Sequence, residues 1–254
     1  MKKVIGILLV AVMLTVMLCA CGSTDSVENN ATNTIQASKK PSEDGSAKTQ
    51  VKSSKKEATQ PELVDSGYTV LEPNSIGDIY LTYAVKVKNP NKDMAAVYTD
   101  ITITGKNEDG SILFSNEDTI PLIMPGDTVA WAEDTMDCKN KVPASVEITV
   151  GGASFESLDE IDNGVVTSDF SIENLSIVEG DWDTSVTGEI TNNSDVDCDD
   201  VIITVIYLKD DKMVGGYRNY QDDMSAGKKA AFDVSAWGLD DLDYDELEIV
   251  ACAR

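Results

Sequence analysis

Residues 201–214 read VIITVIYLKDDKMV, and residues 100–113 read DITITGKNEDGSIL. The two stretches align at an offset of 101. The same offset carries PGDTVAW (125–131) onto AGKKAAF (226–232) and VEITV (146–150) onto LEIVA (247–251). Upstream, VKVKNPN (85–91) matches GEITNNS (188–194) at 103, which implies a two-residue difference in the next loop. One spacing held over three blocks marks a duplicated unit.

The local pattern is strand. Tyr83, Val85 and Val87 alternate with polar or small residues, as Ile101 and Ile103 do with Thr102 and Thr104. That period of two is the signature of a half-buried strand. Val201–Leu208 is nearly continuous in β-branched and aromatic residues, as expected of a strand covered on both faces. Turn signals punctuate the runs: Asn89-Pro90, Asp109-Gly110, Pro125-Gly126, Asn192-Asn193 and Ala226-Gly227. Short strands near 67–72, 79–88, 97–105, 111–115, 127–132 and 144–150, repeated in the second half, predict an all-β chain of two tandem sandwich domains. The first is expected over 63–155 and the second over 166–254, with a weakly patterned junction at 156–166. Trp131 and Phe232 are expected as core plugs, and Gly126 and Gly227 as turn residues with positive φ. A sandwich of this size has no room for a deep enclosed pocket.

The N-terminal quarter is of another kind. Met1-Lys2-Lys3 precedes an apolar run from Val4 to Leu18, too short to span a bilayer as a helix. A basic start, a short apolar run and a small-residue end form a secretory signal peptide, expected over 1–20. Leu18-Cys19-Ala20-Cys21 resembles the bacterial lipoprotein box. The resemblance implies cleavage before Cys21 and a diacylglyceryl group on its thiol. Residues 22–62 hold six acidic residues, six lysines and no aromatic residue. Such a tract cannot offset its ordering entropy by burial and is expected to be a disordered tether. As a coil its ends lie about 35 Å apart, and fully drawn out it reaches about 140 Å.

Charge narrows the partners. The chain carries −25 overall, and the acidic excess lies in residues 63–254. That surface repels nucleic acid and anionic headgroups. The chain has no histidine, which excludes Ser-His-Asp and Cys-His catalysis and any histidine-ligated metal. Cys138, Cys198 and Cys252 have no metal-ligand spacing. Two readings stand for them: a Cys198–Cys252 disulfide, or small buried apolar residues. DVDCDD (195–200) and DLDYDE (241–246) offer oxygen ligands for calcium, but neither has the glycine and glutamate of an EF-hand loop. Solvated loops are the expectation there, with no metal and no cofactor.

The second copy resembles the FxLYD domain, a repeat of secreted and lipid-anchored proteins of mainly Gram-positive bacteria. Thr187-Gly188-Glu189-Ile190 before Asn192-Asn193-Ser194, the strand end Ile206-Tyr207, and Lys212-Met213-Val214-Gly215 carry the resemblance. In the first copy it rests on Asn89, Asp109–Leu113 and Pro125–Thr128. The eponymous Phe is Thr204 here and its Asp is Leu208, and in the first copy Gly105-Lys106-Asn107 replaces the motif. The resemblance implies an immunoglobulin-like or fibronectin-III-like sandwich, an envelope setting and no catalytic residue. The expected function is therefore a palmitate-type lipoprotein of the cell membrane's extracytoplasmic face. It would display two modules to a protein or cell-wall partner, with an exposed sheet edge as one means of binding. The alternatives are an extracytoplasmic hydrolase using a carboxylate pair and a solute-binding lipoprotein of a transporter.

Overall fold

The computed structural model describes residues 58–254 apart from 162–163, 181–182 and 240–241. The signal-like segment, Cys21 and the polar tract to residue 57 lie outside the described residues. The described chain is all-β and antiparallel. The first half holds β1 (Glu62–Val70), β2 (Tyr80–Lys88), β3 (Met94–Lys106), β4 (Ile112–Ile123), β5 (Thr128–Asp137), β6 (Ser145–Val150) and β7 (Ser154–Ser157). The second holds β8 (Phe170–Glu179), β9 (Thr184–Asn192), β10 (Cys198–Lys209), β11 (Lys212–Met224), β12 (Lys229–Ala236) and β13 (Glu246–Ala253). Sheet I is β1-β2-β5 and sheet II is β4-β3-β6, with β7 also on β3. Sheet III is β11-β10-β13 and sheet IV is β12-β9-β8. Each half is a two-sheet sandwich, and all the described residues belong to one compact unit.

The duplication is visible in hydrogen bonds. Asn89 and Asn192 are both fully buried. The Asn89 amide donates to Met94 O and Ile123 O, each at 2.9 Å. The Asn192 amide donates to Val196 O and Met224 O, each at 2.9 Å. Their Oδ1 atoms accept the N–H of Asn91 and of Ser194, each at 3.0 Å. One asparagine thus ties three chain segments together in each half. Gly126 and Gly227 follow as paired turn residues, with φ of 76° and 70°. Their N–H groups donate to the carbonyls of Asn89 and Asn192.

The register of one block needs correction. Ile101 and Ile103 face the first core, whereas Val201, Ile203, Val205 and Tyr207 face the second. The equivalent of Ile101 is therefore Ile203, and β3 maps onto β10 at 102, not 101. A slip of one residue exchanges the faces of a strand. β2 and β5 keep their predicted offsets, because Trp131 pairs with Val85 as Phe232 pairs with Gly188. In the corrected register Gly105 corresponds to Tyr207, and the difference between the two copies has a packing cause. Phe114 pairs with Gly105, and a Cβ on Gly105 would lie 2.2 Å from the Phe114 ring. In the second half Tyr207 pairs with Gly215. The large and small residues have changed strands while the core stays filled.

Several boundaries differ from the sequence reading: β1 is Glu62–Val70 rather than the expected 67–72, β3 starts at Met94, β5 runs on to Asp137, and β7 is not among the expected strands. β4 runs on to Ile123 past Pro121, in unbroken register from Ile120 opposite Thr99 to Leu122 opposite Val97. β4 is an edge strand of its sheet, where a proline is tolerated. The chain also engages the sandwich before residue 62. Thr59 N–H donates to Asn91 Oδ1 at 2.9 Å, and Gln60 Oε1 accepts from Ala153 N–H at 2.8 Å. In the junction, Ile161 and Val166 pack on Ala95, Val97, Leu122 and Met124.

Candidate functional site

The seam between the halves is where the described residues concentrate buried polar chemistry. Sheet I of the first sandwich lies on sheet III of the second. Along β10 the seam face carries Ile202, Thr204, Ile206 and Leu208. The corresponding face of β3 carries Asp100, Thr102, Thr104 and Lys106, which face solvent. The continuous apolar run in β10 is thus explained: one face fills its own core and the other covers the first sandwich.

The strands cross. Thr82, Ala84 and Lys86 on one face of β2 meet Gly216 of β11, Ile206 of β10 and Glu248 of β13 in turn. Gly216 and Glu248 both pair with Ile206, so β2 runs across sheet III. This is the orthogonal mode of sheet packing. Small residues make the approach close. Cβ atoms added at Gly67 and Gly216 would lie 1.9 Å from Met213 O and 2.9 Å from Ala132 Cβ. Three threonines bond across to backbone carbonyls. Thr82 Oγ1 donates to Gly216 O at 2.6 Å and accepts from Gly216 N–H at 3.1 Å. Thr69 Oγ1 donates to Val214 O at 2.6 Å and Thr204 Oγ1 to Ala130 O at 3.2 Å.

Arg218 of β11 closes one side of the seam. Its guanidinium carbon stands 4.2 Å over the Trp131 ring. Nη2 pairs with Glu133 at 2.9 Å, and Nη1 donates to Ala132 O and pairs with Asp118 at 3.3 Å. Asp118 also accepts from Tyr83 OH at 2.9 Å and from Trp131 Nε1 at 2.7 Å. Burial first, and the facing Asp118 carboxylate second, push the Tyr83 hydroxyl far above its ordinary range, so it stays a donor. Trp131 is a core residue as expected, with its ring nitrogen bonded and its face on a cation. This cluster joins residues of the two sandwiches by ion pairs and hydrogen bonds. Sequence reasoning missed Arg218 and Asp118, which lie 100 residues apart. The one local signal was Gly215-Gly216 inside a strand, a mark of close backbone approach.

Four aspartates of the acidic loops, Asp197, Asp200, Asp243 and Asp245, have partners within the chain. Asp197 Oδ1 accepts from Ala226 N–H at 2.7 Å, and Asp200 pairs with Arg254 at 3.4 Å. Lys209 pairs with Asp243 at 3.0 Å and Asp245 at 3.8 Å. Asp241 lies outside the described residues. Among the described residues no group of three or more acidic or cysteine side chains is placed to hold a metal ion.

The disulfide reading is corrected. Cys138, Cys198 and Cys252 are all buried thiols. Cys198 belongs to the second core, while Cys252 joins the first core through the seam. The two side chains therefore lie in different apolar clusters. Burial pushes the Cys138 thiol up to about 11, with Asp137 adding to it, and pushes Cys252 up to about 12. Reactivity follows the thiolate and access to it. A chromogenic disulfide reagent at about pH 8 should leave all three untouched in the folded protein and label all three in denaturant. Rapid labelling of any of them in the native chain would contradict this burial.

No protein-family model matches the chain, and no curated protein matches it. Among solved structures the chain is similar to a red sea bream transglutaminase, at 10% identity with a TM-score of 0.26. The match covers 78% of this chain and 31% of that one, so the chain spans about a third of the transglutaminase's length.

Proposed function

We propose that this chain is a non-catalytic lipoprotein, anchored at the extracytoplasmic face of a cell membrane through Cys21, that displays its β unit for binding. Leu18-Cys19-Ala20-Cys21 carries the reading: it directly follows an apolar run with a basic start and directly precedes a polar tract. A diacylglyceryl cysteine supplies two acyl chains, and two chains anchor stably where one binds reversibly, at about 0.8 kcal/mol per buried CH₂. The tract from residue 22 then acts as a leash of about 35 Å. The absence of histidine removes Ser-His-Asp and Cys-His catalysis and so supports binding over catalysis. Within the described residues no helix is long and apolar enough to cross a membrane.

Cys21→Ala tests the anchor. Cells expressing the native chain should incorporate radiolabelled palmitate into it, and intact-mass analysis should place a diacylglyceryl group on an N-terminal Cys21. Cys21→Ala should abolish incorporation. Label retained on the variant, or an unmodified native N-terminus, refutes the reading.

A further inference from the structure

One more feature lies at the end of the first sandwich away from residue 62, beside a residue of the second half. Glu62 opens β1 opposite Lys88, whereas Tyr80 at the other end of β2 pairs with Asp137. A nine-residue strand separates these ends by about 30 Å. At the Tyr80 end opens a cleft of about 330 Å³, lined by Asp78, Tyr80, Asp137, Lys139 and Asn140. Trp237 of the second half stands edge-on to Tyr80, with ring centroids 5.7 Å apart and planes at 86°. It is 37% exposed.

The walls are fixed before any ligand arrives. Asn74 Oδ1 accepts from Asp78 N–H at 2.8 Å and from Ile76 N–H at 3.1 Å, and this sets the Asp78 loop. Asp137 accepts from Lys139 N–H at 2.6 Å and pairs with Lys139 Nζ at 2.8 Å. Lys139 and Asn140 both take the left-handed conformation, with φ of 58° and 56°. They are the central residues of a turn closed by Lys141 N–H donating to Cys138 O at 3.4 Å, which takes positive φ at both positions. Cys138 N–H donates to Ile79 O at 2.9 Å and ties the two loops together. The Trp237 carbonyl accepts from Tyr217 OH at 2.6 Å, which holds the indole's backbone.

The lining selects a ligand class. Two carboxylates disfavour an anion. The Lys139 ammonium, paired with Asp137 at 2.8 Å, offsets one of them. Acceptors from Asp78 and Asp137 and donors from Lys139 and Asn140 suit a ligand rich in hydroxyl groups. The lining has no aliphatic side chain, only the Tyr80 ring with Trp237 beside it. A pyranose has both faces of this chemistry, an apolar C–H face and a rim of hydroxyls. A few placed polar groups with aromatic walls are what small-molecule sites use for orientation. We infer that this cleft binds a neutral saccharide unit, with its hydroxyls on Asp78, Asp137 and Asn140 and its C–H face toward the Tyr80–Trp237 pair. The inference rests on the display reading and names the chemistry displayed.

The full chain, kept in detergent, is titrated with N-acetylglucosamine tetramer, maltotetraose and mannotetraose, followed by tryptophan fluorescence and calorimetry. Spermidine and inorganic phosphate serve as charged contrasts. At least one neutral oligosaccharide should bind saturably with Kd on the order of 10⁻⁴ to 10⁻³ M. Trp237→Ala and Asp137→Asn should each weaken it about tenfold or more, while Asp100→Asn on the outer face of sheet II should not. Should Trp237→Ala fail to fold, Asp137→Asn decides. No saturable binding of any of the three, binding kept by both variants, or binding of a charged probe alone overturns the inference. The palmitate assay is independent. An acylated chain that binds no saccharide refutes the cleft alone, and an unacylated chain that binds one refutes the anchor alone.

Discussion

Gly67→Ala should lower the melting temperature of this protein by about 6–12 °C. Gly67 sits on β1 opposite Ala84, where the first sandwich meets β11. A methyl group there would lie 1.9 Å from Met213 O and 2.3 Å from Met213 C. Both are backbone atoms, so no rotamer change relieves the clash. The Gly67 backbone does not require glycine, since its φ lies outside the left-handed region. The whole effect is therefore packing. Overpacking of a tight core costs about 3 kcal/mol at the upper end of its usual range. For a unit of 150–250 residues each kcal/mol shifts the melting temperature by roughly 2–4 °C. Gly152→Ala is the control, because nothing lies within 4 Å of its added Cβ, and it should stay within about 0.5 kcal/mol. Equal melting of Gly67→Ala and Gly152→Ala would mean that sheets I and III do not meet as described.

The seam is heterologous: it joins sheet I of one copy to sheet III of the other, which are different sheets of the repeated unit. A head-to-tail contact of this kind does not close on itself and could in principle be repeated. The side chains stop it after one step. The outer face of β3 is Asp100, Thr102, Thr104 and Lys106, where β10 presents Ile202, Thr204, Ile206 and Leu208. The outer face of sheet IV carries Glu173, Glu189 and Lys229, joined by ion pairs of 2.8 and 3.3 Å. Both ends of the stack are thus polar, as terminal repeats of stacked proteins are. Two copies of one fold have diverged into an inner and an outer version of the same strand.

The sequence showed the strands and hid the seam. Tyr80–Lys88 and Ser145–Val150 fall within a residue of their expected limits, since an amphipathic strand between turn residues declares itself locally. The doubly covered character of β10 was legible for the same reason. What covers it was not. The partner residues Thr82, Ala84 and Ala130 look like the small or polar positions of an ordinary solvent-facing row. The offset of 101 misled at β3, because Ile101 and Ile202 match in letter while facing opposite ways. Thr204 and Leu208 lie on the seam face of β10. Tyr207 between them points into the core beside Tyr217 and Tyr244, at ring distances of 5.6 and 4.9 Å. The Tyr80–Trp237 contact was invisible for a further reason: the two residues come from different copies.

Asn89 and Asn192 offer the sharper test of the duplication, through their dependence on pH. Asn89→Ala leaves Met94 O, Ile123 O and Asn91 N–H without their side-chain partner, and Asn192→Ala does the same to Val196 O, Met224 O and Ser194 N–H. Buried groups left unpaired cost about 1–3 kcal/mol each in the general case, and the sites are fully buried. Each variant should lose about 2–4 kcal/mol, and the two losses should be similar, since the bonds are the same. Asn192→Asp should behave differently. It keeps the acceptor for Ser194 but turns a second oxygen toward two carbonyl oxygens. Ionisation there is disfavoured by burial and by both dipoles, so the folded-state pKa rises above the unfolded value of about 3.9. Protonation supplies an O–H that donates to Val196 O or Met224 O. The variant is therefore relatively stable below about pH 3.9 and loses that stability as pH climbs through the raised folded pKa. Denaturant titrations of wild type and Asn192→Asp across that range should diverge with rising pH, while Asn192→Ala runs parallel to wild type. A constant gap between Asn192→Asp and wild type would show that the amide does not face the two carbonyls, and the paired role given to Asn89 would fall with it.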